Sequence, residues 1–584
     1  MSLVLNSTID SQIVAKTSAI SCSQSPRTEL YKNKEKCQKQ LRRRRSETVV
    51  ELRKQKKENI CDQRRSISVL DYWSDETIND EEDEELMALN INEVLMTLTV
   101  ANVSDISPKY IKYLRQFIQN SREPQNLESC EQKVEQILVV TQVMTELLSD
   151  KMVTKLIICI KSDDSSMALL QEVLSLLALI CSYGKDEVIV LVKAGIVNDL
   201  LSLLKYDNFK VIDEAVSALT FIWDSCTEMQ DLITNTNFLK SVTDLIDSEA
   251  SVSPSKLVKN DPRISLMRTI SWSLLTLCQN RNLRSYLLAH NLISYFQKLL
   301  HYFDDKVKTY VLKALSATTE RIAAISDDNL SPVLKIIHSI VSNITLFESI
   351  IQLLLANDNN IVFYAIRIIG NIISWGESYT QIAIQAKILD RFNCLLNHQN
   401  SKVQREAAYT VSNISAGNYC QIQAIIDSNL MPAIVELLYM GDYRTQVEAA
   451  HVLLNITSVG SAQQIAYIIN IDKKVENMDS VDAMATLLTA VDVKTINNCL
   501  KFYDNILTFA KRINILNEVI KKCEISSVVY YIEELQNNRN TDLANLATHL
   551  MDEYFSKDIS LEEEMLLNTS LNSDDMISEQ NFSF

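Results

Sequence analysis

A repeated register about 42 residues long limits this chain's fold more than any other feature. Leu-Leu pairs stand at 203/204, 299/300, 353/354, 395/396 and 437/438, and thirteen residues beyond each second leucine lies a comparable apolar run. The landing positions are Ser217, Lys313, Arg367, Tyr409 and His451, within DEAVSALTFI, TYVLKALSAT, FYAIRIIGNI, REAAYTVSNI and VEAAHVLLNI. Adding Ser175, Trp272 and Lys501 from similar runs gives successive spacings of 42, 55, 41, 54, 42, 42 and 50. Each unit reads as a helix closing on Leu-Leu, a polar turn and a longer apolar helix. Such units bury their apolar faces only against one another, which predicts an all-α solenoid of armadillo or HEAT size. Equivalent positions on the last helix of each unit then form ladders across neighbouring repeats.

Composition fits that reading. A chain of 584 residues exceeds one compact core, and 47% apolar residues supply a large interior. With only 7 Gly and 7 Pro, the sequence argues against sandwiches, Rossmann units and phosphate-cradling loops, which need glycine at tight turns. The 12 cysteines include no CxxC pair, and the 6 histidines are far apart, so no metal or cofactor is expected. No P-loop, nucleophile elbow or paired catalytic carboxylate motif is visible, which points away from an enzyme. The start, MSLVLNSTIDSQIVAKTS, lacks a basic secretory leader, and no window approaches eighteen uninterrupted apolar residues. A soluble intracellular protein without membrane insertion is the expectation.

Charge is distributed unevenly. Residues 32–65 hold fourteen Lys/Arg against five Asp/Glu, net +9, although the chain totals −17. Residues 66–89 contain no Lys or Arg but nine acids, the composition of a self-repelling linker. Residues 1–31 read as disordered, 32–70 as a cationic arm, 71–90 as an acidic linker, 91–556 as about ten repeats, and 557–584 as an acidic flexible tail. Arg42, Arg43, Arg44 and Arg45, then Arg53, Lys54, Lys56 and Lys57, lie among helix formers, and Arg64 and Arg65 follow. Taken alone, such a run suits an acidic protein partner, the chain's own acidic body, nucleic acid or a membrane surface.

REAAYTVSNISAGNYCQIQAIIDSNLMPAIVELL, YAIRIIGNIISWGESYTQ and VEAAHVLLNITSVGSAQQIAYII resemble the later armadillo repeats of importin alpha (karyopherin alpha). LRRRRSETVVELRKQKK is similar to that family's importin-beta-binding domain, and MDEYFSKD to the segment closing its last repeat. The likeness covers roughly residues 30 to 558. It implies a right-handed superhelical armadillo-repeat α-solenoid with a disordered or helical N-terminal arm. It also implies an adaptor that binds nuclear localisation signals of cargo in its groove and importin beta through the arm. An export receptor with Ran-GTP would return it, so shuttling between cytoplasm and nucleus is expected, without direct nucleic-acid binding. The order of arm, acidic linker and repeats favours importin beta among the arm's possible partners.

Family grooves carry Trp-x-x-x-Asn on the last helix of most repeats. Residues four apart share a helix face, indoles take the stem and charge of a lysine, and Asn amides pair with an extended backbone. This chain keeps the pattern unevenly. The repeats matching the family's major site read Ser175/Leu179, Ser217/Phe221 and Trp272/Thr276, so Trp272 alone survives there, and Lys313 next to it would repel a cation. Those matching the minor site read Arg367/Asn371, Tyr409/Asn413 and His451/Asn455, with Glu406 and Glu448 three residues before their aromatics. Gln63-Arg64-Arg65 replaces the family's inhibitory Lys-Arg-Arg cluster. The expectation is that this cargo mimic and the major groove have decayed together, biasing cargo toward residues 367–455. An armadillo scaffold that carries no cargo is the alternative.

Overall fold

The computed structural model describes residues 90–121, 130–162, 166–225, 236–249, 261–280, 283–320, 331–470, 479–490 and 492–555. The start predicted to be disordered, the basic arm with Arg42 to Arg65, the predicted acidic linker up to residue 89 and the predicted tail from 557 lie outside these residues. Ten helices among the described residues pack in one series, and eight of them carry the register. The ten are α1 (Pro108–Asn120), α2 (Met167–Cys181), α3 (Phe209–Ser225), α4 (Pro262–Gln279) and α5 (Asp305–Thr319), then α6 (Asn359–Ile373), α7 (Ser401–Ser415), α8 (Tyr443–Val459), α9 (Val493–Arg512) and α10 (Thr541–Leu550). Each packs against the next in the series, and every other element among the described residues is also helical. The architecture is an all-α armadillo solenoid. All eight landing positions fall on α2 to α9, one per helix.

The Leu-Leu pairs work as the register predicts. Short helices such as Ile196–Leu203, Leu292–Leu300, Leu389–Leu396 and Met431–Met440 pack on the ladder helix that follows them. Leu204, Leu300, Leu354, Leu396 and Leu438 are all buried, each stabilising the stack by roughly 1.5–3 kcal/mol. Four residues beyond each second leucine stands an Asn or Asp whose side chain accepts backbone amides of the ladder helix's first turn. These caps are Asn208, Asp304, Asp358, Asn400 and Asp442, and each is worth about 1 kcal/mol. Leu487-Leu488 extends the rule, giving cap Asp492 and, thirteen residues on, Lys501. The spacing is therefore a physical sequence: leucine pair with its second member buried, turn, cap, helix.

Within several repeats a residue with positive φ turns the chain from the first helix into the second. Gly195 (φ 88°), Asn291 (51°), Lys387 (60°), Asn429 (53°) and Ser527 (60°) occupy this place. Gly and Asn tolerate that conformation, whereas a lysine Cβ is crowded by the neighbouring carbonyl. Lys387→Gly is expected to stabilise the protein by about 0.5–1 kcal/mol, measurable as slower amide hydrogen exchange across residues 377–396.

Candidate peptide-binding ladder

Three parallel rows follow from helical spacing. The landing row runs Ser175, Ser217, Trp272, Lys313, Arg367, Tyr409, His451, Lys501. Four residues later come Leu179, Phe221, Thr276, Ala317, Asn371, Asn413, Asn455 and Asn505. Three residues earlier stand Glu172, Glu214, Thr269, Tyr310, Tyr364, Glu406, Glu448 and Asn498. Asn505 was not among the predicted site residues, yet the same four-residue step from Lys501 locates it.

In the first half the rows are occupied by the protein itself. The Trp272 ring is buried and lies 4.9 Å from that of Phe221, at 60°. The Ser217 hydroxyl donates to the Asp213 carbonyl of its own helix at 3.0 Å, inside the core. Ser175 donates to Glu214 Oε1 at 2.6 Å, and the buried Arg115 of α1 pairs with Glu172 at 3.2 Å. The indole, the Ser175 hydroxyl and the two carboxylates here link neighbouring helices.

The middle of the ladder is cationic. Arg367 reaches Glu320 and Glu406, each at 3.8 Å, and its guanidinium stands 5.9 Å over the Phe363 ring. Burial opposes the Arg367 charge, but Glu406, Glu320 and nearby tyrosines outweigh it and hold its pKa above the ordinary value. Burial raises the pKa of the neighbouring Tyr364 phenol, an effect the Arg367 charge partly offsets. Glu406, predicted to face a ligand's cation, therefore already shares one with the preceding helix.

The Asn row differs from repeat to repeat. Asn371 Nδ2 donates to the Ser316 carbonyl and Thr319 Oγ1, both at 3.1 Å. Asn455 Nδ2 makes the equivalent pair, to the Ser412 carbonyl at 2.9 Å and Ser415 Oγ at 3.1 Å. Asn505 Nδ2 reaches Thr457 Oγ1 at 3.4 Å and Ser458 Oγ at 3.0 Å. In each case a hydroxyl six residues after the preceding landing position receives the amide. For Asn413 that place is held by Ile373, and the buried Asn413 Nδ2 has no hydrogen-bond partner. Beside it, Glu448 lies 3.5 Å from His451 Nδ1, and His451 Nε2 meets Asn498 Nδ2 at 3.1 Å. Tyr409 is half-buried at the centre of this segment. Among the described residues no group of three His, Cys, Asp or Glu is placed to hold a metal ion, and no single helix is long and apolar enough to cross a membrane.

Comparison with known proteins gives the ladder its context. The family described as importin beta binding domain matches residues 27–157, spanning the basic segment and the first described helices. Armadillo/beta-catenin-like repeats match residues 377–416 and 421–458, which contain α7 and most of α8. Importin subunit alpha-1b of rice (Oryza sativa subsp. japonica) is 24% identical over 66% of this chain and 66% of its own length. Importin subunit alpha-3 of Arabidopsis thaliana is 24% identical over 91% of this chain and 93% of its own. The chain thus carries an importin-beta-binding match ahead of armadillo repeats and is similar, at low identity, to importin alpha subunits. The fold is also found in an engineered protein of known crystal structure, which superposes with a TM-score of 0.59, 20% identity, 80% coverage of this chain and 100% of that one. The stretch of the rice importin alpha that the chain matches falls just short of two thirds of that protein.

Proposed function

We propose that this protein is a nuclear import adaptor of the importin alpha family. It binds basic localisation signals along the α6 to α8 segment of its ladder and is captured by importin beta through residues 32–70. The single observation that most supports this is the buried, unpartnered amide of Asn413. An orphaned buried donor costs roughly 1–3 kcal/mol, and the equivalent amides of Asn371 and Asn455 are paired. Turning the side chain toward the groove would bring that amide to a peptide carbonyl and relieve the penalty. Tyr409 offers the adjoining aromatic face, and Glu448 a carboxylate near the incoming charge. The first half, with Trp272 covered by Phe221, is a poor acceptor for a lysine stem. Cargo release and return would use an export receptor with Ran-GTP, and the protein would shuttle between cytoplasm and nucleus. No covalent step is involved.

The test is a titration of the full chain with a bipartite basic peptide. Asn413→Ala should weaken binding by about tenfold, equivalent to roughly 1.4 kcal/mol, without lowering stability, since it removes an unsatisfied group. Asn455→Ala should destabilise the α7–α8 junction by about 1 kcal/mol through the lost inter-repeat bonds. Peptide affinity unaffected by Asn413→Ala but abolished by Trp272→Ala would overturn the assignment. Importin beta capture with no basic peptide bound at all would instead assign the protein as a scaffold.

A further inference from the structure

At the centre of the ladder, Lys313 Nζ stands 5.7 Å from the centroid of the Tyr310 ring and 5.7 Å from that of Tyr364. The two tyrosines occupy the same row, three residues before the landing position, on the consecutive helices α5 and α6. All three side chains are half-buried, so the ammonium sits partly out of water between two ring faces, where cation–π attraction is strongest. Neighbouring repeats thus build an aromatic slot of the kind that grips a lysine from outside. Here the chain fills it with its own.

We propose that Tyr310 and Tyr364 form a latent cation cradle for a lysine of an incoming basic peptide, and that Lys313 occupies it in place of that ligand. The inference rests on the reading of the ladder as a peptide site and concerns its middle. Glu172 and Glu214 lie in the row on one side of the tyrosines, and Glu406 and Glu448 on the other. A plug at this point divides the acidic ladder into two separate stretches. It also sets specificity, because a peptide crossing the middle must displace Lys313 or avoid placing a cation there.

Truncation separates the cradle from its occupant. Lys313→Ala in the full chain deletes the equivalent of a propylammonium group and leaves both rings. Saturation-transfer NMR should detect n-propylammonium on K313A, but neither on wild type nor on a variant in which Tyr310 and Tyr364 are also changed to leucine. In anisotropy titrations, an eight-residue alternating Lys-Arg peptide should bind K313A at least threefold more tightly than wild type, and the gain should vanish with both rings. If the peptide ignores wild type and N413A alike, the cargo reading fails, while the propylammonium result still decides the cradle. Equal saturation transfer in wild type and K313A, or transfer that survives removal of both tyrosines, overturns the proposal.

Discussion

Replacing Asp213 by Asn is expected to stabilise the α3–α4 region by about 2–3 kcal/mol at pH 7.5, and by almost nothing near pH 4. Asp213 lies on α3, buried, with Oδ1 lacking a hydrogen-bond partner. Burial pushes its carboxyl up from 3.8 to about 6, and the hydrogen bonds from Ser265 and Thr269 of α4 only partly oppose this. A carboxylate whose folded pKa exceeds its unfolded one destabilises the fold whenever it is ionised. Wild type should therefore gain stability as pH falls from about 7 through 6 toward 4, while the asparagine variant should not. A tenfold difference in proton affinity between the folded and unfolded chain is worth about 1.4 kcal/mol, so the two proteins should converge in acid. Hydrogen exchange of residues 209–225 against pH would read the effect locally, which matters in a repeat array that need not unfold as one unit. A pH-independent difference between the variants would show that Asp213 is not the titrating group.

Charge reversal of the arm should have the largest effect on partner capture. Changing Arg42 to Arg45 together to glutamate alters the arm's net charge by eight and turns a cationic helix former into an acidic one. If four charge-assisted contacts are lost, the association should weaken at least about a hundredfold. Importin beta pull-down by the full chain at rising salt would measure it. The residual binding of the variant should no longer fall steeply with ionic strength. Capture that survives the reversal would assign importin beta binding to another surface.

Much of the fold was legible because it is periodic. A leucine pair, an Asn or Asp four residues later and a landing position within an apolar run thirteen residues later recur in one register, since a stack of like units repeats its local physics. The Asn row was legible for the same reason. What the amides bind was not. The partners of Asn371, Asn455 and Arg367 lie about 40 to 55 residues away in adjacent repeats, and side-chain type alone does not say whether an amide faces a ligand or its neighbour. The different position of Asn413 rests on one substitution, Ile373 where Thr319 and Ser415 stand in other repeats. Lys313 read as a simple repulsive charge, because the ring that completes its slot, Tyr364, arrives from the following repeat.

That same isoleucine also bears on mechanics. Where α5 meets α6, and again where α7 meets α8, an amide tethers one helix to the end of the one before it. The joint between α6 and α7 lacks the Asn tether. In a one-dimensional array, strain and heat concentrate at the weakest junction. Lying between two amide-tethered joints, the α6–α7 seam is held by packing and the Arg367–Glu406 pair and should open more readily than either of those neighbours. Fastening it, by Ile373→Thr, should make this stretch of the array harder to bend.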